Sequence, residues 1–233
     1  MHDFIYVRNI LPIVIGIVET WLYADIPDTC LNVPDYTVLR FDRPSKGGGV
    51  LLLINDKYKI INFKCLTFGS IQVLLCDVAC IIHNFALTRF VCVYRPPNTD
   101  LVSSISFFSA LETDLTPLKA NFPIILMGDF NLTKIDWVNL RPTLNHTAAD
   151  TRLLLTSQRT HLLQKVHFPS RHTNYTDLIF ISHDNLITNV VVEPPFTTSD
   201  HNTISFDLLT SKLLPSNAVG LQTQVKLDFS RID

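Results

Sequence analysis

The sequence predicts an α/β domain in which sheets pack face to face with helices outside. Two observations predict it. Short apolar or alternating runs of strand length recur along the chain, and only two segments between them read as helices. Many strands with few interspersed helices fit packed sheets better than a singly wound parallel sheet. A third observation sets the scale: 233 residues, 47% of them hydrophobic and 17% charged, suffice for one substantial core. No internal period repeats, so a single domain is the default.

Taken in order, strands are predicted over Pro12 to Val18, Tyr36 to Arg40, Gly49 to Ile54, Ile71 to Val78, Phe90 to Tyr94 and Pro123 to Met127. Each run ends in polar residues or turn formers. Ile105, Phe108, Leu111, Leu115 and Leu118 recur at three and four residues, which places one apolar stripe on a helix bounded by Pro123. A second helix is predicted over Ala148 to Leu163. Further strands follow at Asp177 to Ile181, Thr188 to Val192 and Thr203 to Leu208. The domain therefore spans residues 1–210, and residues 211–233, which mix Pro215, Ser216, Asn217 and Gly220 with polar residues, read as a connector leaving it.

A net charge of -2 and a pI near 6.4 exclude a protein that holds nucleic acid mainly through a large excess of Lys and Arg. They do not exclude a phosphodiesterase, because carboxylates gathered around a cation lower net charge by themselves. The five cysteines, Cys30, Cys65, Cys76, Cys80 and Cys92, contain no Cys-x-x-Cys pair and read as reduced core residues of an intracellular protein. The run Ile10 to Val18 is too short to span a bilayer and leads into Glu19 without a cleavage site, so it reads as a buried strand.

Chemistry concentrates at four strand ends. Glu19, closing VIGIV, can face a cleft and offer a hard oxygen to Mg²⁺ or Mn²⁺, although a solvated Glu is the commoner reading of one such residue. In Gly128-Asp129-Phe130-Asn131 the glycine allows a tight turn, and period two puts Asp129 and Asn131 on one face. A carboxylate that activates water and an amide that holds a phosphate oxygen suit in-line displacement at phosphorus. An Asx turn capping the strand accounts for this tetrapeptide equally well. Asp177 enters an apolar strand, where an unpaired carboxylate is costly, so it requires a partner. Ser199-Asp200-His201 supplies an acid beside an imidazole, and Asp177 can orient His201 through its other ring nitrogen. The rival reading, with Ser199 as a nucleophile, lacks a Gly-x-Ser-x-Gly elbow.

In order and spacing, ETWL, VYRPP, GDFN, TDLIF and SDH resemble the endonuclease/exonuclease/phosphatase superfamily. Thr20-Trp21-Leu22 after the Glu, the KGGGV run and Tyr94-Arg95-Pro96-Pro97 look like the apurinic-type endonuclease domain of non-LTR retrotransposons. The resemblance covers roughly residues 4 to 209, and the tail VKLDFSRID is similar to the segment that leads towards a reverse transcriptase. It implies a four-layer α/β sandwich of two mixed sheets and a DNA-nicking hydrolase that uses Mg²⁺ or Mn²⁺ and leaves a 3′-hydroxyl. By resemblance Glu19 is the metal ligand and Asp200 supports the metal site. Asp129 activates the water, Asn131 holds the scissile phosphate, His201 donates to it with Asp177 orienting the ring, and Tyr94 adds a hydroxyl near the same phosphate. DNA is the implied partner, with a reverse transcriptase domain in the full element, no membrane, and a nuclear site of action.

The sequence departs from this pattern at its start, where about 18 residues precede Glu19 and the family's first strand, which ends in an Asn, is missing. Loss of that strand would expose its neighbours and makes an inert remnant one alternative to the endonuclease; another phosphodiesterase or phosphatase of the superfamily is the other. Other features take plainer readings. Gly47 to Gly49 lacks the Lys-Ser/Thr of a P-loop and reads as a hairpin turn. His83, His146, His161, His167, His172 and His183 form no ligand-spaced cluster, and Phe107 and Phe108 read as packing residues. Arg95, Lys134, Arg171 and His172 lie near motif loops, where contact with DNA phosphates and simple solvation are both open.

Overall fold

The computed structural model describes residues 11–31, 33–44, 47–79, 85–115, 122–209 and 226–229. Cys80, His83, Leu118 and most of the predicted connector lie outside the described residues. Strands run in chain order as β1 (Val14–Val18), β2 (Tyr36–Phe41), β3 (Val50–Asn55), β4 (Lys59–Phe68), β5 (Ile71–Ala79), β6 (Thr88–Tyr94) and β7 (Ile124–Asp129). They continue as β8 (Ile135–Asp136), β9 (Arg141–Pro142), β10 (Leu163–Gln164), β11 (Asp177–Ile181), β12 (Ile187–Pro195), β13 (Asn202–Leu208) and β14 (Lys226–Phe229). The helices are α1 (Leu101–Ala110), continued by a π turn over Leu111–Leu115, and α2 (Ala148–Arg159).

Two mixed six-stranded sheets carry the fold. The first has the order β12-β13-β14-β1-β3-β2, the second β10-β11-β7-β6-β5-β4, and β8-β9 form a small separate hairpin. Alternation within single strands divides the core. On β3, Val50, Leu52 and Ile54 join a cluster that also holds Leu74, Phe90, Met127 and Ile179 of the second sheet, while Leu51 and Leu53 face the opposite way. Both sheets therefore contribute to one shared apolar core. The other face of the second sheet packs against the helices, through Phe107 and Phe108 of α1 and Leu153 and Leu154 of α2. A fully buried Phe there contributes about 2–3 kcal/mol by removal from water.

The sequence predicts helices outside the sheets, and among the described residues both α-helices lie against the second sheet. The outward-facing Ile15, Ile17, Leu51 and Leu53 of the first sheet are met instead by Leu22, Val33 and Tyr36, with Ile26 and Leu31 packed alongside. Local signals fix where the helices begin. Asp100 caps α1 by accepting the Ser103 N–H at 2.8 Å, and Thr147 with Asp150 forms a capping box on α2. The helical stripe shifts from the predicted one, because Ile105 is exposed while Phe107 takes a buried place beside Phe108.

Two further differences follow from burial. β4 escapes prediction because it is an edge strand with Ile61, Phe63 and Cys65 exposed, so its pattern carries no buried face. Cys76 and Cys92 are buried as expected for core residues, whereas Cys30 and Cys65 are exposed. Burial, aided by the neighbouring Asp77 charge, pushes the Cys76 thiol up to about 12. At the position between β13 and β1 lies β14, parallel to β1 from Ile15↔Lys226 to Val18↔Phe229 and antiparallel to β13 at Ile204↔Leu227. Within the span read as a connector, these four residues thus belong to the sheet.

Candidate active site

The strand register assembles one half of the site. Tyr94 of β6 pairs with Asp129 of β7, and Asp129 pairs with Asp177 of β11, so three polar side chains stand in a row at one end of the second sheet. Gly128 is what lets β6 and β7 approach. A Cβ there would meet the Val93 carbonyl oxygen at 1.9 Å, with φ at 148°, so the glycine serves close strand packing inside β7 rather than the tight turn expected from sequence. The first sheet supplies the other half, with Glu19 directly after β1 and His201 directly before β13.

Three of these groups converge. Ligand atoms of Asp129, Asp177 and His201 all lie within 4.8 Å of one another, and all three residues are buried. The His201 Nδ1 is 2.8 Å from Asp177 Oδ2, which also accepts the Thr176 hydroxyl at 2.9 Å. Asp177 is fully buried, its backbone N–H donates to Ser170 Oγ at 3.0 Å, and its Oδ1 has no hydrogen-bond partner among the described residues. Burial and the neighbouring Asp177 carboxylate drive the Asp129 carboxyl well above its ordinary range.

Asn131 sits against Asp129, but not by strand alternation. β7 ends at Asp129, and Asn131 adopts φ 48° beyond it. Its backbone N–H donates to Asp129 Oδ1 at 2.8 Å, its side-chain amide to Asp129 Oδ2 at 2.6 Å and to the Arg95 carbonyl at 3.0 Å. The Asx turn and the convergence of amide and carboxylate are therefore one arrangement. Tyr94 donates its hydroxyl to Glu19 Oε1 at 2.5 Å, and burial together with that acceptor pushes its phenol upward.

Asp200 stands apart from the buried group. Its carboxylate is 2.5 Å from Arg171, more than half exposed, and 3.9 Å from His201 Nε2. Burial works to raise this carboxyl, but the hydrogen bond and charge of Arg171 outweigh it and hold it below its ordinary value. Ser199 accepts the His201 backbone N–H at 3.1 Å, a turn contact, while the ring Nδ1 is engaged by Asp177; this is not the geometry of a serine nucleophile. Arg95, weighed from sequence as a phosphate contact, is buried and donates to Ser104 Oγ and to the Phe130 carbonyl, so it braces the loop from inside. Arg43 and Gln72, which no motif marks, also border Tyr94 and the glycine loop.

The residues present fit a divalent cation. Two buried carboxylates this close need an external positive charge or a proton, and the orphaned Asp177 Oδ1 is a hard oxygen donor of the type a divalent cation takes.

Fold and cluster together define the class: the chain belongs to the endonuclease/exonuclease/phosphatase superfamily. Within it, the chain belongs to the endonuclease-reverse transcriptase family, whose model matches residues 88–205. No curated protein matches it in sequence. Among solved structures it is similar to the 3′ phosphatase NExo of Neisseria, bound to a product DNA hairpin, at TM-score 0.68 and 14% identity over 88% of this chain and 92% of that one. An AP endonuclease from Archaeoglobus fulgidus gives TM-score 0.63 and 9% identity over 89% and 92%. A superfamily protein from Bacteroides thetaiotaomicron gives 0.63 and 13% over 86% and 82%. Among the described residues no helix is long and apolar enough to cross a membrane.

Proposed function

We propose that this chain is a four-layer α/β sandwich, in which the segment around the 3-10 turn Asp28–Leu31 stands as the outer layer on the first sheet, and that it hydrolyses DNA phosphodiester bonds with Mg²⁺ or Mn²⁺ and leaves a nick bearing a 3′-hydroxyl, as in target-primed retrotransposition. The observation that carries the reading is the buried Asp129–Asp177–His201 group with its unpartnered carboxylate oxygen. Membership of the endonuclease-reverse transcriptase family supports DNA as the substrate and a reverse transcriptase domain as the partner in a full-length element, acting in the nucleus.

Each side chain has a task in this reading. Asp129, held by both Asn131 contacts, takes a proton from the attacking water, and its raised affinity for protons suits a base. Asn131 turns its amide towards a phosphate oxygen when substrate arrives. Asp177 keeps the His201 ring oriented through Nδ1, so Nε2 donates to the phosphate as negative charge builds. Glu19 would hold the cation and Asp200 would support that site from its rim, while Tyr94 fixes Glu19 by its hydroxyl. A bound cation would supply Lewis-acid charge for the phosphate oxygens. Water's oxygen bonds to phosphorus, the P–O3′ bond breaks, and the leaving oxygen is protonated to the 3′-hydroxyl.

The test is nicking of supercoiled plasmid by the purified chain, with Mg²⁺ or with chelator, beside Asp129→Ala. Metal-dependent relaxation that the variant lacks is expected. A folded wild-type chain that leaves plasmid intact would refute the endonuclease reading, and removal of 3′-phosphate from DNA by the same chain would move the assignment to a phosphatase.

A further inference from the structure

We propose that Arg43 is a positioning residue for the cation site, acting on Glu19 through Tyr94. This inference rests on the reading of Glu19 as a metal ligand. Arg43 follows β2 in the first sheet, yet its guanidinium donates to the Ser70 carbonyl, just before β5 of the second sheet, and lies 5.7 Å from the centre of the Tyr94 ring. It therefore ties the two sheets together at the end where the site opens.

The glycine loop explains how Arg43 reaches that place. A Cβ on Gly48 would stand 2.8 Å from Arg43 Cδ and Nε and 2.9 Å from Gln72 Oε1, so the missing side chain is the space the arginine stem fills. Gln72, buried, accepts the Gly49 N–H at 2.8 Å and donates to the Phe41 carbonyl at 3.0 Å, which fastens both sides of the loop. The Gly48 carbonyl in turn accepts the Trp21 N–H at 2.9 Å. Glu19 and Trp21 both hold left-handed backbone angles, φ 52° and 56°, which cost free energy unless the surroundings enforce them.

These contacts close a ring: Gly48 holds Trp21, the strained turn aims Glu19, Glu19 accepts from Tyr94, Tyr94 packs on Arg43, and Arg43 fills the space above Gly48. Loss of Arg43 frees the Tyr94 ring and with it the Glu19 carboxylate, without removing any group that touches substrate. The turn at Gly47 to Gly49 is in this sense part of the site's support as well as a link between β2 and β3.

The experiment measures Mn²⁺ affinity of the full chain by electron paramagnetic resonance of free Mn²⁺, with kcat and KM for plasmid nicking alongside, for Arg43→Met, Arg43→Lys and Gly48→Ala. Arg43→Met is expected to weaken Mn²⁺ binding and lower kcat by roughly tenfold each, the range for groups that orient a metal ligand, with KM for DNA unchanged. Arg43→Lys, which keeps the charge and fills the same space, should recover most of the affinity, and Gly48→Ala should reproduce Arg43→Met. The double variant should lose no more than the worse single one, because both break the same ring. Unchanged Mn²⁺ affinity in folded Arg43→Met would overturn the inference. So would a raised KM with a shallower salt dependence of DNA binding at constant Mn²⁺ affinity, since that result makes Arg43 a direct phosphate contact. Wild-type protein without Mn²⁺ affinity would instead remove the metal site itself.

Discussion

Asp177→Asn should make the chain less active and, without metal, more stable. Asp177 and Asp129 present carboxylate oxygens within 4.8 Å in a buried site. At an effective dielectric of about 20, two full charges at that outer limit repel by about 3.5 kcal/mol, a cost the metal-free site carries either as repulsion or as the proton uptake that raises the Asp129 carboxyl. The amide removes that repulsion but sets an N–H₂ group where Asp177 Oδ1 already lacks a partner, an offset of about 1–2 kcal/mol. A net gain of about 2 kcal/mol remains, which for a domain of this length raises Tm by roughly 4–8 °C. Activity moves the other way, because the amide holds the His201 ring without stabilising its protonated form; a loss of roughly 10²–10⁴ in kcat is expected. Thermal unfolding followed by circular dichroism in chelator at pH 8, with single-turnover nicking in Mg²⁺, reads both effects. A variant that melts lower in chelator, or nicks at the wild-type rate, would refute the charge argument on which the site rests.

Two further outcomes follow from the same geometry. The folded-state affinity of Asp129 for a proton is raised, so its contribution to stability is greatest below the unfolded carboxylate value and is lost as pH rises through the higher folded value. Metal-free Asp129→Asn should therefore melt above wild type at pH 8 and converge with it below about pH 4; equal melting curves at both pH values would contradict the burial cost. Gly128→Ala should cost more than about 4 kcal/mol, since its Cβ meets backbone at 1.9 Å, and denaturant titration that finds less than about 1 kcal/mol would show that β6 and β7 can part cheaply.

The strands that carry chemistry are legible because each is an apolar run stopped by a polar residue. β11 spans the predicted residues, and β1, β3, β7 and β13 differ only at their ends. β4 stays hidden because an edge strand with Ile61 and Phe63 exposed leaves no periodic signature, and β8, β9 and β10 are two-residue strands too short to show any period, β8 with β9 in a local hairpin and β10 against β11. At the site, Asp129, Asp177 and His201 are readable as candidates one by one, but the row Tyr94–Asp129–Asp177 depends on register between strands distant in sequence. Arg43 is unreadable for a different reason: its place depends on the space above Gly48, a contact no spacing rule encodes. Charge alone also misleads for Arg95, whose burial follows from the fold of the loop that joins β6 to α1.

The most direct measurement is cleavage of an end-labelled duplex oligonucleotide by the full chain in Mg²⁺, followed by extension of the product with a DNA polymerase. The account predicts a nick whose 3′ end is extended without prior phosphatase treatment, abolished by chelator and reduced by several orders of magnitude in His201→Ala. A product that cannot be extended until a 3′-phosphate is removed, or cleavage that persists undiminished in chelator, would contradict it.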